Sequence, residues 1–292
     1  MERLINVFGG SGFVGSRYVS LTANYFSPIA MPNIIPNVLV NDREDYEIKN
    51  NVTDVVYFIS TIDNYNVHTD LHIDIDTNLT TLMYVLESLK GKGDVTFNFI
   101  SSWFVYGDVP LPAKEDARCD PKGFYSITKR TAEQLIISFC ETFNIKYRIL
   151  RLANVLGPTD HKVSKKKNAL QYMINEIKEG RDVDLYDGGT PFRDYIYVDD
   201  AVKAINLVIE KGAVNEIYNI GNGKKVVIKD VLEAVRIKTR SKSKFNNIPP
   251  AEFHNKVQTK DMVLDISKIE SLGYKTEFTM DKVLNSLLYP TN

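Results

Sequence analysis

Leu4-Ile-Asn-Val-Phe8 runs directly into Gly9-Gly-Ser-Gly12-Phe-Val-Gly15 and then into a helical segment, Ser16–Asn24. An apolar strand, a Gly-x-x-Gly-x-x-Gly turn and a helix in that order leave few folds open. The glycines permit a tight turn, close backbone approach to a phosphate and close helix–strand packing. The helix N-terminus favours the charge of a pyrophosphate. Gly9, Gly12, Phe13, Val14 and Gly15 are therefore candidate dinucleotide ligands, with a purely structural glycine turn as the plainer alternative.

Further along, strands alternate with helices. Asp54-Val-Val-Tyr-Phe-Ile-Ser60 is nearly all apolar, as expected of a strand buried on both faces of a parallel sheet. Ser60 and Thr61 would end it at the carboxyl edge, where such sheets bind ligands. Asn78–Leu89 carries an apolar stripe at positions 79, 82, 83, 86 and 89, and reads as a packing helix. Asn78, at its start, is its one cofactor candidate. Val95–Ser102 is the next strand, ending in Ser101-Ser102 ahead of Trp103-Phe104, and Asn144–Leu152 is another. This alternation through residue 157 predicts an α/β fold, a Rossmann-type doubly wound parallel sheet.

One stretch fits poorly. Ser27–Pro36 holds three prolines, which excludes a central strand or a helix interior. Pro36–Asp42 then reads as a strand ending in an acid. If it is the second strand, Asp42 accepts hydrogen bonds from the adenosine ribose and selects NAD. If it is the third, with the second degraded, Asp42 sits by the adenine. Arg43 could serve a 2′-phosphate, so NAD is the reading and NADP stays open.

Tyr125-Ser-Ile-Thr-Lys129 opens an amphipathic helix whose Ile127, Leu135, Ile136 and Phe139 are available for burial. Residues i and i+4 lie one above the other on a helix face, so the Tyr125 phenol and Lys129 ammonium can share a site. A free phenol titrates near pH 10 and is a poor base at neutral pH, but a neighbouring cation favours the phenolate. The pair is a proton-transfer device in outline; by itself the spacing is more often that of a surface tyrosine and a solvated lysine.

Beyond residue 157 the pattern changes. Lys165-Lys-Lys, read as a solvated loop, precedes Asn168 and a helix over 169–179 closed by Gly180. Val183–Tyr186 and Glu216–Ile220 read as strands, and Ile228–Thr239 as a helix. Asp199 or Asp200 is expected to cap a helix through Glu210. The stretches 265–273 and 280–288 read as terminal helices.

Composition removes several function classes. With 36 basic against 37 acidic residues there is no global field to recruit nucleic acid or an anionic membrane. Two cysteines, Cys119 and Cys140, make no disulfide framework, and no Cys/His spacing suggests zinc or another metal. The start is too short and structured for a signal peptide, and no apolar run approaches the ~18 residues that cross a bilayer. A cytoplasmic protein is expected.

The order of these motifs resembles the extended short-chain dehydrogenase/reductase family, in particular its nucleotide-sugar epimerases and dehydratases such as UDP-galactose 4-epimerase. The carrying residues are Gly9–Gly15, Asn78, Ser101-Ser102 ahead of Tyr106-Gly107, Tyr125-x-x-x-Lys129, Arg151-x-x-Asn154-x-x-Gly-Pro158 and Phe192-Arg-Asp-Tyr-Ile-Tyr-Val-Asp-Asp200. The resemblance implies a Rossmann domain over 1–160, with 191–220 returning to it. A substrate domain would comprise 161–190 and 221–292, and a homodimer would form through a four-helix bundle containing the Tyr125 helix. It implies Tyr125 as general base and acid on a sugar hydroxyl, Lys129 on the nicotinamide ribose, and Ser102 on the same sugar oxygen. Trp103, Asn154, Asn168 and Arg193 would bind a nucleoside-diphosphate sugar, Arg193 through its diphosphate. The family's second diphosphate arginine is missing from His254–Lys260, so Lys260 would substitute. Dehydratases carry an Asp-Glu pair where this chain has Trp103-Phe104, which argues against 4,6-dehydration. The expected activity is C4 epimerisation with bound NAD. A 4-keto-sugar reductase is the runner-up, and a fold that has lost its chemistry is the reading from another class.

Overall fold

The computed structural model describes residues 3–26, 38–40, 45–62, 64–161 and 163–290. Its centre is a six-stranded parallel sheet. The first half of the chain contributes β1 (Ile5–Phe8), α1 (Phe13–Phe26), β2 (Val38–Val40), β3 (Asp54–Tyr57), α2 (Ile73–Ile75), α3 (Thr81–Leu89), β4 (Thr96–Ser102), α4 (Phe124–Phe143) and β5 (Lys146–Leu152). There follow β6 (Asn154–Leu156), α5 (Ala169–Lys178), β7 (Val183–Tyr186), β8 (Phe192–Arg193), β9 (Tyr195–Tyr197), α6 (Val198–Lys211) and β10 (Glu216–Ile220). The remainder is β11 (Val226–Val227), α7 (Ile228–Thr239), β12 (Phe245–Ile248), α8 (Glu252–Val257), α9 (Ser267–Glu270) and α10 (Met280–Leu288).

The strand order is β2-β1-β3-β4-β5-β10, every neighbour parallel. Side chains alternate across it, as a pleated strand requires. Val55, Tyr57, Phe97 and Phe99 pack on the face covered by α3 and α4, with Leu82, Leu86 and Ile136. Val56, Ile100 and Leu150 pack on the opposite face with Tyr18 of α1 and Val202 and Ile205 of α6. A third core, around Leu170, Ile174, Val183, Leu185, Leu232 and Leu284, lies under α5, α7 and α10.

The strand reached by residue 40 pairs directly with β1, so it holds the second-strand position and not the third. Beyond it no further strand occurs on that side among the described residues. Asp42 and Arg43 lie outside the described residues.

The helix after β3 begins earlier than its apolar stripe suggests. α2 continues through a π-helical stretch, Asp76–Thr80, into α3, and Asn78 lies inside that stretch. α4 also departs from the expectation. Its inward stripe is Tyr125, Lys129, Ala132, Ile136 and Cys140, whereas Ile127 and Leu135 are exposed. Helical spacing offered two stripes, and the polar one faces the sheet. Near the C-terminus of the fold, α6 is not capped by Asp199 or Asp200. Tyr197 precedes it, Asp199 pairs with Arg17 of α1 at 2.6 Å, and Asp200 accepts from the Glu277 and Phe278 amides. Of the stretch 265–273, only Ser267–Glu270 is helical.

Candidate active site

The carboxyl ends of β1, β3, β4 and β5 converge on a cavity of about 720 Å3. One end is the glycine turn. A Cβ on Gly9 would lie 2.9 Å from the Ile59 nitrogen, and one on Gly15 would lie 2.2 Å from the Gly9 carbonyl oxygen. Only glycine lets the turn close against β3 and α1. The turn therefore fits a dinucleotide: Gly9, Gly12, Phe13, Val14 and Gly15 all line the cavity, and the three glycines leave its backbone bare. Gly15→Ala is expected to weaken NAD binding at least about tenfold, by calorimetric titration, since a backbone oxygen must move.

The start of α4 is set by a side chain from a distant loop. Gly123 precedes the helix and offers no capping side chain; Asn64 Oδ1 instead accepts from the Ser126 amide at 3.2 Å and its hydroxyl at 3.1 Å. A Cβ on Gly123 would fall 2.3 Å from that same oxygen. Asn78 adds a second anchor. Its amide donates to Thr61 at 2.9 Å and Thr128 at 2.8 Å, and its oxygen accepts from the Thr61 amide and the Ser60 hydroxyl. Asn78 is buried and does not line the cavity, so its contribution is to lock the end of β3 onto α4 beside Lys129.

Tyr125, Lys129 and Ser102 line the middle of the cavity together. The Lys129 ammonium donates to the Ile100 carbonyl at 2.6 Å and lies 4.2 Å from the centre of the Phe99 ring. Ser102 Oγ accepts from the Phe104 amide at 3.3 Å, which leaves its hydroxyl hydrogen for a ligand oxygen. Its neighbour Ser101 turns the other way and donates to Glu133 at 2.6 Å. Burial pushes the Glu133 carboxyl up, but hydrogen bonds and charge from Arg151 more than offset this and hold it below its ordinary range. Sequence reading did not single out Glu133, which acts through partners remote in the chain.

Burial pulls the Lys129 ammonium down to about 7, with the Glu133 charge opposing. An unfolded chain takes up this proton near 10.5, before the folded one does. Stability is therefore expected to fall as pH drops from about 10 to about 7, and the contribution to be constant below that. Lys129→Met should remove this slope, as read from urea midpoints across the range.

The outer wall is formed by Asn154, Thr159–His161, Lys167 and Asn168. Asn154 donates to the Asp194 carbonyl at 3.1 Å. Asn168, at φ 54°, donates to Val155 and to Asp160. Lys167 pairs with the buried Asp160 at 2.7 Å, so the end of the lysine run is a cavity wall and not a solvated loop. No motif marks Thr159, His161 or Lys167. Ser60 and Trp103 also line the cavity. Arg193 does not: it lies 5.5 Å from the Trp103 ring, donating to the Phe192 and Thr259 carbonyls. Lys260 is exposed, pairs with Asp187 at 3.2 Å and does not line the cavity.

A parallel sheet with a glycine turn after its first strand, and a Tyr-x-x-x-Lys helix beside a strand-end serine, define an extended short-chain dehydrogenase/reductase. Residues 38–221 match the model of the NAD dependent epimerase/dehydratase family, and the chain belongs to that family. It is 28% identical over 298 residues to a Methanocaldococcus jannaschii protein provisionally named UDP-glucose 4-epimerase, covering 95% of this chain and 94% of that one. A Thermotoga maritima UDP-glucose 4-epimerase with UDP-glucose is 25% identical, superposes with a TM-score of 0.84 and covers 97% of each chain. The Escherichia coli dTDP-4-dehydro-6-deoxyglucose reductase is 21% identical over 308 residues, 97% of this chain and 95% of that one.

Proposed function

We propose that the chain is a nucleotide-sugar 4-epimerase that works through a transient keto sugar with tightly bound NAD. The carrying observation is the convergence of Ser102, Tyr125 and Lys129 on one cavity whose far end is the glycine turn. NAD, when bound, supplies a hydride acceptor and donor. Gly9–Gly15 would hold its diphosphate, and Lys129 its nicotinamide ribose. Tyr125, as phenolate, removes the proton of the sugar C4 hydroxyl, and Ser102 donates a hydrogen bond to that same oxygen. Lys129, in its protonated form, would favour the phenolate. Tyr125 then returns the proton once the keto sugar has presented its other face.

Trp103 and Phe104 carry no ionisable group, which opposes the elimination a 4,6-dehydratase performs. Reduction of a 4-keto sugar nucleotide uses the same three side chains, and similarity to the E. coli reductase over nearly the whole chain supports it as the second reading. Incubation with UDP-, GDP-, CDP- and dTDP-sugars, followed by NMR with and without NADPH, separates the two. A C4 epimer formed without added reductant is expected; consumption of NADPH only with 4-keto substrates would replace epimerisation by reduction.

The proposal extends to a dinucleotide domain over 1–160 with 191–220, and a substrate domain from the rest. It also includes a homodimer. Phe124, Ile127 and Leu135 of α4, with Ile73 and Tyr84 before it, form an exposed apolar face suited to a second copy, testable by light scattering.

A further inference from the structure

Four side chains form a continuous ladder through the site. The Arg193 guanidinium lies 5.5 Å from the centre of the Trp103 ring. Trp103 stacks on Phe104, centroids 3.9 Å apart at 24°. Phe104 meets Tyr125 edge to face, at 5.9 Å and 82°. Trp103 is 3% exposed, with one face on Phe104 and the guanidinium over the ring. Trp103 and Phe104 are adjacent residues of one 3₁₀ turn, Trp103–Val105. Neighbouring side chains of such a turn leave it about 120° apart, at three residues per turn. Both rings have to swing toward each other to stack, so the turn itself does not impose this contact.

From this arrangement we infer that Trp103 and Phe104 are positioning residues, a rigid aromatic strut that fixes the Tyr125 phenol at one end and the Arg193 guanidinium at the other. The inference rests on the reading of Tyr125 as the acid–base group. Neither ring transfers a proton. Their role is geometric: Phe104 sets the ring plane of Tyr125, and Trp103 holds Arg193 by a cation–π contact alongside two backbone carbonyls. An anion drawn to Arg193 is thereby registered to the phenol at a fixed separation.

Trp103 is the single tryptophan of the chain, so its emission reports this strut alone. Ligand-free Arg193→Met is expected to change that emission, and Tyr125→Phe, which keeps the ring, to leave it unchanged. Titration with UDP, GDP, CDP and dTDP should give a saturable emission change with at least one of them, lost in Arg193→Met. In the whole protein, Phe104→Ala should lower kcat about 10- to 100-fold with KM within about threefold, because a small misplacement of a catalytic group costs that much. Phe104→Tyr should restore most of it. Trp103→Leu should weaken the responding nucleotide about tenfold, by calorimetry, with Trp103→Phe intermediate. Unchanged kcat in Phe104→Ala, or loss in folded fraction alone with kcat per folded molecule preserved, would overturn the strut. So would an emission indifferent to Arg193 and to all four nucleotides. If Tyr125→Phe itself keeps turnover, the acid–base reading fails instead, and the two failures are distinguishable.

Discussion

Tyr125→Phe is expected to cut turnover by about 10²- to 10⁴-fold, the range that a positioned acid–base group contributes. The substitution is well isolated. Tyr125 is 8% exposed near the start of α4, and phenylalanine keeps the ring that meets Phe104. Only the hydroxyl is lost. Ser102 and Lys129 stay in place, held by the Phe104 amide and the Ile100 carbonyl, so nucleotide and NAD affinities should change by less than about threefold. Steady-state kinetics on the substrate found by NMR, with calorimetry for binding, check both halves. Turnover near that of the unaltered protein would remove Tyr125 from the mechanism.

The largest stability effect is expected at Glu133→Ala. Glu133 is fully buried and receives Arg151 at 3.0 and 2.8 Å, Arg130 at 2.8 Å and the Ser101 hydroxyl. Arg151 is itself 1% exposed, lying 4.6 Å from the centre of the Tyr106 ring and donating to the Glu115 carbonyl. Removing the carboxylate strands that guanidinium in the core. Breaking a buried pair from one side costs about 3–5 kcal/mol. Urea denaturation should show the unfolding free energy falling by that amount, as a lower midpoint at unchanged slope. Removing both charges, as Glu133→Leu with Arg151→Met, should recover much of the loss; if it does not, the cost lies in packing and not in the stranded charge.

Local signals carried the sheet. The strand–glycine–helix unit, β7, β10, α7 and α10 follow from runs of apolar residues and turn chemistry between near neighbours in the chain, and the structure places them as read. Pairings across the fold were not legible. Ile127 and Leu135 look like core residues because helical spacing cannot distinguish two stripes on one helix, and the inward choice is set by Thr128, Lys129 and Glu133 finding Asn78, Ile100 and Arg151. Those partners lie 18 to 50 residues away. Lys260 has the charge a diphosphate needs, but its position depends on Asp187, which no spacing rule connects to it. Arg193 was read as a diphosphate ligand; its packing against the Trp103 ring joins residues ninety positions apart, and periodicity does not see such distances.

The last strand of the central sheet comes late. β10 pairs with β5 from Glu216↔Arg148 to Ile220↔Leu152, and α6, just before it, covers the face shared with α1. During synthesis, the half that carries the glycine turn therefore emerges from the ribosome unfinished. Until residue 220 is out, β5 is a bare edge with its backbone donors and acceptors unspent, the kind of edge that recruits foreign strands. A chain stopped near residue 160 keeps the glycine turn, Ser102 and the Tyr125 helix yet lacks the strand and helix that close the sheet. Fragments cut at the apparent end of the glycine-turn half are thus expected to aggregate, and the shortest self-sufficient piece must run past β10.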